Sequence, residues 1–500
     1  MSHKRGKYAF NVAAASALLA VSMGMQPAMA KQAGSGFQGA ITMYAGAYGP
    51  PFTQLSSAVT GPQATVLASL AKEYEKLHPG ITIKFVPSPP AGQAYNTWVM
   101  TKAAGGQLPD ITEQTPVYVE TFPPGVFIRL NPYFNQPDPY VPGKKWGQLF
   151  QPKIMSEISS ENGLGGNYVI NGDFVATAFY YNKTLFQKVG IRSVPTTWSA
   201  FIRDCAILKK AGHIPFAWDV SGSSTGEGHN MGWMTRLFYS NFFAGQYRQL
   251  EFTKHNGITT EDQVIAIKKG IYGNKNPRWM ALWPIMKAFS QYWQPDVEGG
   301  DANGQGPMLL FLRGNTGMYM DGSWASPQIA SAKPKFQWGT FKVPRPDRAT
   351  SKFATKYGYP GTGGPYGGGF NYAVSSQKSD STMTPQKLKA VVNWLEFITT
   401  PRRDQAVVNQ IGEYVPTVIG AKPLPQLINL TQMEKESLNM VFGGVIILPQ
   451  EEQAIYRAYQ SYILGQMSLT AFGNQAEQQL ENAANQLIAQ HHWNLSKYLK

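Results

Sequence analysis

Cysteine is nearly absent from this 500-residue chain, where Cys205 stands alone. No internal disulfide can form, so packed cores must supply the stability, and the length allows two or three of them. Charge is scarce as well. Charged residues make up 15 % of the chain, against a usual value of about 25 %, and Gln, Asn, Ser and Thr take over the surface. Such a composition suits an acidic exterior, where carboxylates are protonated and serve poorly for solvation or ion pairing. Past the N-terminus no apolar run is long enough to span a bilayer. Gly-x-Ser-x-Gly, His-Glu-x-x-His and any cysteine pair for a metal are missing too. The seven histidines are scattered, and His491-His492 reads as solvated tail. The Gly-rich "GTGGPYGGGF", 361–370, lacks the strand-to-helix setting of a phosphate loop. No catalytic residue, cofactor or metal site is therefore expected.

The formal charge is +14, of which the first 30 residues carry three positive charges and no acid, leaving +11. The basic residues are dispersed, without a basic helix or RNA-type aromatic motif, so nucleic acid is not an expected partner. The N-terminus has the three parts of an export signal: Lys4, Arg5 and Lys7, an apolar run from Val12 to Val21, and the small-residue site Ala28-Met29-Ala30. Cleavage is expected near Ala30. No cysteine follows it to carry a lipid anchor, which places the mature chain in a periplasm or on the outer side of the cell membrane.

Along the chain, "AITMY" reads as a strand ending at Gly46. Val66, Leu70, Tyr74 and Leu77 make a helical stripe, and Ile81, Ile83 and Phe85 alternate as a strand, giving a β-α-β unit of a parallel sheet. "LPDITEQT" supplies a further strand edge, and residues 132–152 a Pro-rich surface stretch. The run "FVATAFYYNKTLF" reads as a buried strand that Asn182 converts into a helix over Lys183–Val189, closed by Gly190. Cys205 shares a helical face with Trp198, Phe201, Ile202 and Leu208 and reads as an inert core thiol. Gly317–Met320 is a strand running into "DGSW". Thr384-Pro385 and Thr400-Pro401 open two successive helices, the second ended by Gly412. The tail, Glu451 to Gln490, is helical. The pattern is α/β, in two domains.

Aromatics stand in polar, Gly-rich company at Tyr44, Tyr48, Trp233, Trp324, Tyr366 and Phe370. Most such rings are core. Trp324 differs, because it follows a strand end and a glycine, where a parallel sheet opens to a cleft and a flat indole can stack on a sugar ring.

Four blocks carry a resemblance in order: "LPDITEQT", "YYNKTLFQKVGIRSVPTTWSAFIRDCAILKKAGHIPFA", "GNTGMYMDGSWA", and "GGGFNYAVSSQKSD" with its helix pair and closing "YVPT". Together they resemble the bacterial extracellular solute-binding proteins of the maltose-binding-protein type, over about residues 39 to 490. The resemblance implies two α/β lobes, each a mostly parallel sheet flanked by helices, joined by a three-segment hinge near Gly172–Val175, Lys342–Arg345 and Tyr414–Thr417. Residues 39–173 and 345–413 would form the first lobe, and 176–341 and 417–500 the second, after the 1–30 signal peptide. It implies a monomeric substrate-binding protein of an ABC importer, not an enzyme, that carries a carbohydrate, an oligosaccharide above all, to a membrane permease. Matching positions for ligand contacts are Tyr44, Gly46, Tyr48, Glu113, Gln114, Asp173, His229, Asn230, Trp233, Trp324, Gly369 and Phe370. "YVINGDF" departs from the family's commonest pattern, with Asn171 where a proline is usual. A secreted carbohydrate-active hydrolase is the alternative, since two acids can meet in three dimensions without any mark in sequence order.

Overall fold

The structure is a computed structural model that describes residues 36–50, 64–87, 95–116, 119, 122–161, 164, 166–218, 220, 229–254, 258–295, 306–356, 368–425, 427–428, 430 and 448–499. The export signal, Tyr366 and most of the Gly-rich loop lie outside them. Among the described residues no helix is long and apolar enough to cross a membrane.

Two sheets organise the chain. The first contains β1 (Gly39–Tyr44), β2 (Ile81–Phe85), β3 (Ile111–Glu113), β4 (Val169–Asn171) and β10 (Asn371–Val374), in the order β2-β1-β3-β10-β4. The second contains β6 (Thr177–Asn182), β7 (Ile214–Ala217), β8 (Thr316–Gly322) and β9 (Trp338–Lys342), in the order β7-β8-β6-β9. Between them β5 (Asp173–Phe174) pairs with β11 (Val415–Pro416) as a separate ribbon. The fold is α/β and two-lobed.

The sheets are mixed rather than mostly parallel. β1 runs parallel to β2 and β3, but β10 is antiparallel to both β3 and β4. In the second sheet β7 and β8 are parallel, whereas β6 is antiparallel to β8 and β9. The reason is connectivity. A crossover helix returns the chain to the same sheet edge and keeps strands parallel. β6 and β10 are instead the strands by which the chain arrives from the other sheet, so they enter against the local direction.

Helices cover both faces of each sheet. On the first, the helices Val66–Leu77, Pro385–Ile398 and Pro401–Ile411 close one core around Ile41, Tyr74, Trp394 and Val408, and Tyr95–Ala104 closes another around Val99, Phe127 and Val169. On the second, an aromatic core around Trp198, Phe216, Trp279 and Trp283 lies on one face, and a smaller core around Tyr180, Phe311 and Ile329 on the other.

Local signals explain much of this. Asn182 accepts from the Leu185 N–H at 2.9 Å, Leu185 and Phe186 go inward, and Gly190 takes φ +84°. Cys205 is buried on the helix Trp198–Lys210, where burial pushes its thiol up. Thr384 caps Pro385–Ile398 by accepting from Lys387 N at 3.1 Å.

Other expectations change. Leu77 is 44 % exposed, and the buried stripe of its helix is Leu67, Leu70, Ala71 and Tyr74, one residue around. Thr400 makes no side-chain cap; its hydroxyl turns back to Phe397 O. The stretch 132–152 buries Phe134, Trp146, Leu149 and Phe150, with the Trp146 indole donating to Thr399 Oγ1 at 2.8 Å. Residues 343–354, expected at a crossing and in the first lobe, pack on the second sheet's core through Val343 and Ala354, and Arg345 bridges Thr197. The tail is two helices, Pro449–Ile463 and Leu469–His491, with Gly465 at φ +77° in the break.

Candidate binding site at two adjoining sheet edges

The topology brings one edge of each sheet together. β1, β3 and β4 all end, and β10 begins, at the same edge of the first sheet. Only residues 172–176 separate the end of β4 from the start of β6, where β8 and β9 end on the second sheet. Side chains on these strand ends are therefore carried close to the crossing.

On the first edge, Tyr44, half-buried, ends β1 with its ring 5.5 Å from Tyr95 and 5.6 Å from Trp98. Gly46 follows at φ +53°, and a Cβ there would lie 2.8 Å from Glu113 Cγ, so only glycine lets the loop close over Glu113. Tyr48 and Phe370 are fully buried against each other and, through Tyr48, against Tyr414. Asp173 is the hub. Its buried carboxylate accepts from the Tyr48 hydroxyl at 2.5 Å and from the backbone N–H groups of Gly368, Gly369 and Phe370 at 3.0–3.2 Å. A Cβ on Gly368 would stand 2.6 Å from Asp173 Oδ1, so the glycines are what allow three amides to reach one carboxylate. Gln114 is buried and its backbone N–H donates to Asn371 O. Asn171, at the proline position of the family pattern, donates to Asn371 Oδ1 at 2.5 Å and ties β4 to β10.

The second edge is aromatic. Trp324 follows β8, half-buried, its six-membered ring packed over Gly322, where a Cβ would come within 2.5 Å of it. Trp233, on the helix His229–Phe242, is buried with its ring 5.6 Å from Trp324. His229 and Asn230 open that helix, and their side chains lie outside the described residues. Asp321 is the next-to-last residue of β8, beside Trp324, and Lys342 ends β9.

The electrostatics follow burial. Asp173 is raised to about 6 by desolvation, against the pull of its four hydrogen bonds. Glu113 is raised to about 8 by burial and then by the Asp173 charge. Glu413 reaches about 7 for the same two reasons, and Asp404 is pushed well above the carboxylate range. Asp321 is raised to about 7 by burial, held back by the Gly322 N–H and the Trp324 side chain. Burial and then Arg345 lower Lys342 to about 8. Near neutral pH Glu113 and Asp404 are thus held neutral, able both to donate and to accept hydrogen bonds, while Asp173 keeps its charge. Among the described residues no group of His, Cys, Asp and Glu could hold a metal.

Eight of the expected residues, Tyr44, Gly46, Tyr48, Glu113, Gln114, Asp173, Gly369 and Phe370, therefore share the first edge; Trp233 and Trp324 share the second. Sequence reasoning missed Tyr95, Trp98, Asp321, Asp404, Glu413 and Tyr414. Asp321 was within reach, since it precedes "GSW". Asp404 was not, because "PRRDQ" reads as a solvated first turn.

The family model for bacterial extracellular solute-binding proteins matches residues 57–402. The multiple sugar-binding protein of Streptococcus mutans is 23 % identical over 285 residues, 56 % of this chain and 59 % of its own length, so the match spans about three fifths of that relative. RafE from Streptococcus pneumoniae superposes with a TM-score of 0.58 at 18 % identity, covering 90 % of this chain and 100 % of RafE. The cyclic alpha-maltosyl-1,6-maltose binding protein from Arthrobacter globiformis gives 0.57 at 18 % identity, over 90 % of this chain and 100 % of the neighbour. On the extent of the family match, the chain belongs to the bacterial extracellular solute-binding protein family.

Proposed function

We propose that the protein is the extracytoplasmic receptor of an ABC importer, which holds an oligosaccharide between the two sheet edges and delivers it to a membrane permease without chemical change. The half-buried Trp324 carries this reading. It stands on a glycine at a strand end, beside Asp321, so a sugar ring could lie on the indole while carboxyls bond its hydroxyls. The names of its relatives, a multiple sugar-binding protein and a maltosyl-maltose binding protein, support a carbohydrate. On this reading Tyr44, Glu113 and Trp324 touch the ligand. Tyr48, Gln114, Asp173, Trp233, Gly369 and Phe370, whose side chains or backbone are buried, hold those groups in place. Export by the N-terminal signal and a monomeric receptor belong to the same proposal.

A thermal-shift screen of raffinose, maltooligosaccharides and chitooligosaccharides tests it, with chromatography of each sugar afterwards. A ligand at a hundred times its dissociation constant should add about 2.7 kcal/mol of stability. Intact sugar with a raised melting temperature supports the receptor. Shortened sugar makes the protein a hydrolase, and no shift with any glycan removes the carbohydrate reading.

A further inference from the structure

Four carboxyl groups from four segments converge where the chain crosses between the lobes. Asp173 is on β5, Asp404 on the helix Pro401–Ile411, Glu413 just before β11, and Glu113 at the end of β3. Asp173 acts electrostatically on each of the other three. Asp404 is fully buried, and neither of its oxygens has a hydrogen-bond partner at ordinary distance among the described residues, although the Val418 N–H faces it. Its Oδ1 lies 2.6 Å from where a Cβ of Gly172 would be, directly against the crossing. The remaining titratable groups facing the cluster are tyrosines: Tyr48 and Tyr372 from the first lobe, Tyr95 from its second helix, and Tyr414 beside β11. Among the described residues, no lysine, arginine or histidine is among the main influences on these four carboxyls, and on the same helix Arg403 turns away to Glu73 at 2.8 Å.

A buried carboxylate without a cation is costly, and a second one beside it more so. We propose that the lobe crossing is a proton-held hinge: protons on Glu113, Asp173, Asp404 and Glu413 keep it closed-packed in acid, and their loss as the pH rises loosens it. The inference does not depend on which ligand the cleft takes. These groups bind protons more tightly folded than unfolded, with Asp173 near 6, Glu413 near 7 and Glu113 near 8. Their contribution to stability is therefore full below the unfolded values of about 4 and is lost as the pH rises through 6 to 8. The scarcity of surface charge points the same way, towards a protein at work in acid.

Hydrogen exchange of the full chain, corrected for intrinsic rates, tests the hinge directly. Peptides covering 172–176 and 414–418 should open at least roughly tenfold more at pH 8 than at pH 5, while the helix Trp198–Lys210 stays protected. The double variant Asp404→Asn, Glu413→Gln should lose most of that pH dependence, and Asp404→Asn alone should lose part of it if the double variant does not fold. Hinge exchange that is flat from pH 5 to 8 in the wild type, or variants that follow the wild type, would overturn the proposal.

Discussion

The two edges of the site are built on opposite principles. The first is a polar lattice: one buried aspartate gathers a tyrosine hydroxyl and three backbone amides from two distant segments. The second is an apolar contact, with Trp324 packed on Gly322 and Trp233 tilted beside it. A lattice is all or nothing, because removing its acceptor strands several buried donors at once. An apolar contact loses only the area of the ring removed. The first edge should therefore govern whether the cleft exists, and the second how tightly it holds.

The largest expected effect comes from breaking the lattice. Asp173→Ala leaves four buried donors unpaired and should cost about 3–5 kcal/mol of stability, read as a fall in the urea midpoint with unchanged slope. If it costs under about 1 kcal/mol, the hub is not structural and the contrast between the edges disappears. Trp324→Ala should instead weaken sugar binding roughly ten- to a hundredfold, with a smaller fall in melting temperature than Asp173→Ala. A variant that binds normally but melts far lower would make Trp324 a core residue. Gly322→Ala sharpens the same point, since its methyl would press into the Trp324 ring. It should cost a few-fold in affinity by calorimetry while keeping the indole. Gly46→Ala acts on stability rather than affinity: it must hold a side chain at φ +53° against Glu113 and should lose about 1–2 kcal/mol. A melting temperature equal to the wild type's would mean that the loop over Glu113 yields without cost.

What the sequence shows and what it hides divide along the same line. Asn182, Thr384 and the Cys205 helix were legible because a cap or a helical face is decided within a few residues. The mixed sheets were not, since the direction of β6 and β10 depends on where the chain has been, and no local signal encodes that. Residues 343–354 stay with the second sheet because Arg345 pairs with Thr197, a partner almost 150 residues earlier. At the site, the positions given by the family pattern reached both edges, but the pattern does not separate contact from support. Burial does so. Tyr48 and Phe370 stand among the matching contact positions, yet they are packed by Asp173 and Tyr414, whose relation to them exists only in three dimensions. Tyr95 and Trp98 went unnoticed on an ordinary helix, and only their contact with Tyr44 gives them meaning.

The central claim is that a sugar is held, unchanged, by the closing of one edge on the other. Small-angle scattering of the pure chain, with and without a saturating sugar that raises its melting temperature, tests it most directly. The account predicts a smaller radius of gyration in the loaded form, as expected for closure about a hinge, with the sugar recovered intact. An unchanged radius at saturation, or a sugar recovered in pieces, would contradict it.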